Sequence, residues 1–105
     1  MAIVEERTYT IRTGLVADYL ALYEREGATT HWKHLGPPVG WFSSEIGVLN
    51  QVVMIWRYDS HADREAKRAK LMADPDWLAF LPKTRPFIER MENRILVPTA
   101  FSPLQ

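Results

Sequence analysis

Between Gln51 and Tyr58 the chain sets five large apolar residues in a row, Val52-Val53-Met54-Ile55-Trp56. Successive residues of a strand point to opposite faces, so a run of this kind needs cover on both sides. In a chain of 105 residues, a layer of helices can supply one cover. The other is expected from a second copy of the chain, which makes a homodimer the expected partner state, with further assembly of dimers left open. Upstream, Val39–Ile46 reads as another strand. Gly47 and Asn50 provide the turn chemistry that joins the two as a hairpin.

The remaining elements follow from pattern and punctuation. Ile3–Arg12 is rich in β-branched and aromatic residues and places Ile3, Glu5, Arg7, Tyr9 and Ile11 on one side of a strand. After Thr13-Gly14, helical spacing runs from Leu15 to about His34, with Val16, Tyr19, Leu20, Tyr23, Gly27, Thr30, His31 and His34 on one stripe. Gly36-Pro37-Pro38 stops that helix. Ser60 is an N-cap candidate, with Asp63 in the place of the usual capping-box acid. The helix after it carries a stripe of Ala62, Ala66, Ala69 and Ala73, expected to lie close against a sheet. Asp74-Pro75 opens a further short helix, on which Trp77 is expected near the surface and which Pro82 and Pro86 are expected to break into turns. Glu92–Val97 is the last strand. The order β-α-β-β-α-β predicts an α+β, ferredoxin-like domain with an antiparallel sheet, spanning residues 1–105 as a single unit.

Composition removes several function classes. Thirteen basic residues balance thirteen acidic ones, so neither nucleic acid nor an anionic membrane is expected as a partner, since both reward a basic excess. The N-terminal residues are charged by position five and contain no long apolar run, so no membrane anchor or signal segment is expected and a cytoplasmic location is the default. The absence of cysteine excludes thiolate nucleophiles and cysteine-held metal. No glycine-rich phosphate loop, Gly-x-Ser-x-Gly elbow or HExxH pattern occurs, so no nucleotide, cofactor or metal is expected.

The residues left with chemistry to offer lie on the first strand, the first helix and the buried strand. His31 and His34, three apart on the helical stripe, could meet over one spot and serve as acid or base, since imidazole titrates near neutrality. They are the candidate catalytic pair; the plainer reading is a polar helix end whose histidines bond backbone carbonyls. Tyr9, Tyr23 and Trp56 combine apolar bodies with polar tips and suit a pocket for a flat or apolar ligand, though a small core uses the same residues. Arg7 could bind a ligand carboxylate or phosphate or pair with Glu5; if the partner subunit covers that side, the two are buried and must satisfy each other. Gly27, lacking a side chain, could leave room for a ligand between sheet and helix. The basic run Arg64, Lys67, Arg68 and Lys70 reads as a solvated face.

RTYTIRTG at residues 7–14, HLG at 34–36, GWFSSEIGVLNQVVMIWRYDS at 40–60 and ENRILVP at 92–98 resemble the NIPSNAP family over nearly the whole chain. The resemblance implies a dimeric α+β barrel, in which two ferredoxin-like protomers pack their sheets together with helices outside. It implies no reaction. Two readings follow: a dimer that binds a small apolar ligand between sheet and first helix, and a cofactor-independent oxygenase or related small-molecule enzyme using the same pocket.

Overall fold

Residues 1–105 are described in the computed structural model, and they follow the expected order. Strand β1 (Ile3–Ile11) leads to helix α1 (Val16–Leu22), which continues through a π-helical turn (Tyr23–Gly27) into α2 (Ala28–Leu35). Strands β2 (Gly40–Ser43) and β3 (Gln51–Tyr58) follow, then α3 (His61–Ala73), α4 (Pro75–Thr84) and β4 (Ile88–Leu96). All pairings are antiparallel, in the order β2-β3-β1-β4. This is the ferredoxin-like arrangement.

Alternation along the two central strands decides what lies where. Ile3, Glu5, Tyr9 and Ile11 of β1, with Val52, Met54, Trp56 and Tyr58 of β3, are buried beneath the helices. The Glu5–Arg7 side of β1 therefore faces the chain's own helical layer, not a partner. On the opposite face Val53 and Ile55 are half-buried and Arg57 is exposed, so within one chain β3 is fully covered on one side alone.

Both helix starts form as their sequences suggest. Ser60 Oγ accepts from the Asp63 N–H at 3.0 Å, and Asp63 Oδ2 accepts from the Asp59 N–H at 2.9 Å. Asp74 Oδ1 accepts from the Asp76 N–H at 2.9 Å, with Pro75 beginning the helix. The turn before β3 places Asn50 at φ 64° and Gly47 at φ 114°, the left-handed conformation that asparagine and glycine tolerate best.

Four expectations give way. Strand β2 stops at Ser43, leaving Ile46 exposed in the turn. Strand β4 starts at Ile88 because β1 pairs with it that far: Ile11 lies opposite Ile88 past a bulge, and the Arg12 N–H donates to the Phe87 carbonyl at 2.8 Å. Pairing outweighs the polar composition of residues 89–94, since an edge strand needs one apolar face at most. Pro82 lies inside α4, where Trp77 and Phe80 before it and Thr84 after it are buried and anchor the helix. The missing N–H costs that helix one bond, and packing outweighs it. Helix α3 turns its alanines outward: Ala62, Ala66, Ala69 and Ala73 are exposed, while Arg64, Lys67, Arg68 and Leu71 lie on the more covered side. Arginine stems can cover apolar surface while their heads find a charge, and a buried carboxylate on β1 supplies that charge. No helix is long and apolar enough to cross a membrane.

Candidate functional site

The helical layer does not fill the space over β1 completely. A cavity of about 240 Å³ lies between the sheet, the first helix and α4. The sheet contributes Tyr9, Met54, Ile88 and Met91, and the first helix contributes Tyr19, Tyr23 and His31. Trp77, Phe80, Leu81 and Thr84 of α4 close the far wall, with the exposed Arg85 beside them.

His31 reaches this cavity because of the π turn. In a regular helix of 3.6 residues per turn, a residue eight positions on is rotated by roughly 80° from the first. Absorbing one additional residue in a wider turn brings the offset to within roughly 20°. Tyr23 opens the π turn and His31 follows it on α2, and their side chains meet: the Tyr23 hydroxyl lies 2.8 Å from His31 Nδ1. Trp32 Nε1 donates to the same hydroxyl at 3.1 Å. The imidazole stacks on Trp77, with ring centroids 4.4 Å apart, and packs against Trp56 at 4.5 Å.

These contacts set the protonation state. Burial pushes the Tyr23 hydroxyl up to about 12, against the Trp32 hydrogen bond that favours its anion. Tyr23 thus keeps its proton, and with Trp32 already donating to its oxygen, the acceptor at hand is His31 Nδ1. Burial lowers the His31 pKa to about 3, reinforced by the charges of Arg7 and Arg68 and opposed by Glu5. The ring is neutral near pH 7, accepts at Nδ1 and carries its hydrogen on Nε2. His31 is among the residues that line the cavity, and its Nε2 makes no hydrogen bond within the protein.

Tyr9 is held from the opposite side. Its hydroxyl accepts from Arg7 Nε at 3.0 Å, and Arg7 Nη1 donates to Glu5 Oε2 at 3.2 Å. The same carboxylate oxygen accepts from Arg64 Nη2 at 2.7 Å and Asn93 Nδ2 at 2.8 Å. Glu5 is fully buried. Burial alone would raise its pKa, but the bonds from Arg64 and Asn93 and the charge of Arg7 outweigh it and hold the carboxyl below its ordinary value. Arg7 is thus an internal ion-pair partner that positions Tyr9, and Arg64 is part of the same cluster, not of a solvated face.

The expected site residues separate. Tyr9, Tyr23 and His31 come together around the cavity; Arg7 stands behind Tyr9, and Trp56 stands behind His31. His34 does not join them. Its Nε2 lies 2.7 Å from Asp74 Oδ2, tying the end of α2 to the cap of α4. The π turn explains the split, because it rotates α2 so that Leu35 replaces His34 on the buried stripe. Gly27 makes no room for a ligand either. A Cβ there would lie 2.6 Å from Cζ of Phe80, so that ring already occupies the space. Tyr19, placed by its spacing on the buried stripe, and the α4 wall are further site residues; the apolar spacing Trp77, Phe80, Leu81 is the signal for that wall. Trp77, expected near the surface, is buried against His31.

Comparison with known proteins places the chain among relatives. A model of the NIPSNAP family matches residues 4–103. Protein NipSnap of Drosophila melanogaster is 35% identical over 103 residues, 98% of this chain. The chain spans 18%, 37% and 41% of the lengths of the nematode, fly and Dictyostelium relatives that it matches. A crystal structure of a NIPSNAP family protein from Agrobacterium tumefaciens aligns with a TM-score of 0.96 at 47% identity, over 100% of both chains. A candidate antibiotic biosynthesis monooxygenase from Chloroflexus aurantiacus aligns over 100% of both chains with a TM-score of 0.63 at 11% identity, which is likeness of fold alone.

Proposed function

This chain belongs to the NIPSNAP family, and on that premise we propose that it binds a small, largely apolar molecule in the cavity between the first helix, the sheet and α4. The observation that carries this reading is the cavity's make-up: Met54, Trp77, Phe80, Leu81, Ile88 and Met91 give apolar walls, while Tyr9, Tyr19 and His31 supply polar groups. Apolar walls with a few placed polar groups are the usual form of a small-molecule site. At about 30 Å³ per water, the 240 Å³ is room for about eight waters, or one compact organic molecule.

The oxygenase reading would make His31 the base. A ring with a pKa of about 3, with no carboxylate behind it and its cavity-side nitrogen already protonated, accepts a proton poorly near neutrality. Binding is the better use of this geometry.

A second copy on the open sheet face completes the proposal. Val53 and Ile55 are half-buried there, with Phe42 and Leu96 exposed nearby, and the Glu6–Arg94 pair lies on the same face. A two-fold axis could set such a mixed patch against itself.

Methyl NMR tests the cavity directly, because two of the chain's four methionines line it. Titration with toluene should shift the Met54 and Met91 methyls while leaving Met1 and Met72 in place. Shifts of none, or of all four alike, would defeat the proposal. Analytical ultracentrifugation at micromolar concentration should show a dimer; a folded monomer would remove the two-fold arrangement.

A further inference from the structure

The polar groups around the cavity offer hydrogens. His31 Nε2–H can only donate, because Nδ1 already accepts the hydrogen bond from the Tyr23 hydroxyl. The Tyr9 oxygen accepts from Arg7 Nε, and no protein group accepts the hydrogen of that hydroxyl. Tyr19 lines the same space, and its hydroxyl has no partner in the protein yet is not sealed in the core. Buried donors without acceptors are costly, so their best complement is an acceptor atom among apolar ligand surface.

Charge narrows the choice further. The guanidinium behind Tyr9 is not part of the cavity wall: its Nε and Nη1 already donate to Tyr9 and to a Glu5 carboxylate that it shares with Arg64. Arg85, at the edge of the cavity, is exposed and screened by water. A carboxylate inside the cavity would therefore lose its water without direct contact with a buried cation, a heavier loss than a neutral oxygen suffers.

We infer that the cavity receives a molecule bearing one uncharged, carbonyl-type oxygen, held by the hydrogens of Tyr9 and His31, with Tyr19 within its reach and the rest of the molecule against Met54, Trp77 and Phe80. Glu5 and Arg7 are positioning residues: they fix which way the Tyr9 hydroxyl turns. The inference rests on the cavity being a binding site, and it adds the chemical class of the ligand.

Acetophenone and α-methylstyrene make the matched pair of probes, identical except that a carbonyl oxygen in one is a methylene in the other. In a cavity without donors the hydrocarbon binds tighter, since the ketone gives up its water hydrogen bonds for nothing. Here the ketone should bind tighter, measured by the Met54 and Met91 methyl shifts. Tyr9→Phe should weaken acetophenone about three- to tenfold, the range for one neutral hydrogen bond, and change α-methylstyrene by less than about twofold. In the unmodified protein, the infrared carbonyl stretch of bound acetophenone should fall below its frequency in hexane; this reading needs no variant to fold. Tighter binding of the hydrocarbon, an unshifted carbonyl band, or equal losses for both probes in Tyr9→Phe would overturn the inference and leave the apolar pocket standing. Benzoate binding tighter than acetophenone would overturn the uncharged class. Failure of both neutral probes to move the two methyls would bring down the pocket and the inference together.

Discussion

Glu5 and Tyr9 stand four residues apart on the same face of β1, under the same helical layer, and their surroundings are opposite in kind. At Glu5 the layer is closed: three donors from three different elements converge on one carboxylate oxygen. At Tyr9 it is open, with aromatic rings around a cavity and donors left without acceptors. The difference lies in what covers each end. Helix α3 lays Arg64 across the strand and matches its charge. Helix α4 presents Trp77 and Phe80, whose rigid rings seal the edges of the space without filling its middle. Arg7 joins the two ends, giving one side of its guanidinium to Glu5 and the other to Tyr9. A single strand face thus carries both a rigid charged anchor and the group it holds in place.

The largest expected effect lies at the closed end. Glu5→Ala leaves the largely covered Arg7 and Arg64 without their carboxylate and should cost about 3–5 kcal/mol in urea denaturation. A loss below about 1 kcal/mol would mean that water reaches Arg7 and that the closed end is not closed. At the open end, Trp77→Ala should cost about 3–5 kcal/mol, within about 1 kcal/mol of Trp56→Ala, because both rings are buried and both pack on His31. A much smaller loss at Trp77 would show α4 to be loosely attached.

Acid should separate the two ends. The folded pKa of His31, about 3, lies below its ordinary 6.5, so the unfolded chain binds the extra proton between those values. Stability rises with pH through that window, and acidification from pH 6.5 to 4.5 should remove about 2–3 kcal/mol at this residue. Glu5 is also depressed below its ordinary value of 4.5. Its contribution is present above that value and is lost as pH falls through its folded pKa, after the histidine has begun to act. His31→Leu should flatten the stability profile between pH 6.5 and 4.5 and leave the steeper loss below it. An unchanged profile would show that the ring is hydrated. The smallest expected effect is Tyr9→Phe, about 0.5–1.5 kcal/mol in stability, with its main consequence in ligand binding; a larger loss would make Tyr9 part of the anchor.

Much of this was legible residue by residue. Both helix caps and the limits of β3 can be read because each depends on neighbours in the chain: a hydroxyl three residues or a carboxylate two residues before an N–H, or an apolar run ended by turn residues. The face shared by Ile3, Glu5, Arg7, Tyr9 and Ile11 follows from a period of two, which nothing in the fold disturbs. A period of 3.6 misplaces His34 because the helix widens midway. The turn's fit with Phe80 against Gly27 depends on a ring 53 positions away. Arg64 was invisible as a core partner, since a charged run looks alike whether it faces water or a buried carboxylate. Trp77 was hidden by its prolines, which suggested a surface turn where packing keeps a helix.

The sequence by itself determined the order of the elements, the caps, the alternation of β1 and the side chains available for chemistry, because these are set by local sterics and periodicity. Only the tertiary structure decided which side of α3 meets the sheet, which histidine is buried and where the cavity lies. Those outcomes turn on matching charge and volume between segments far apart in the chain: Glu5 against Arg64 and Asn93, Gly27 against Phe80, His31 between Trp56 and Trp77. Burial makes such matches energetically decisive, and burial exists only once the layers have met.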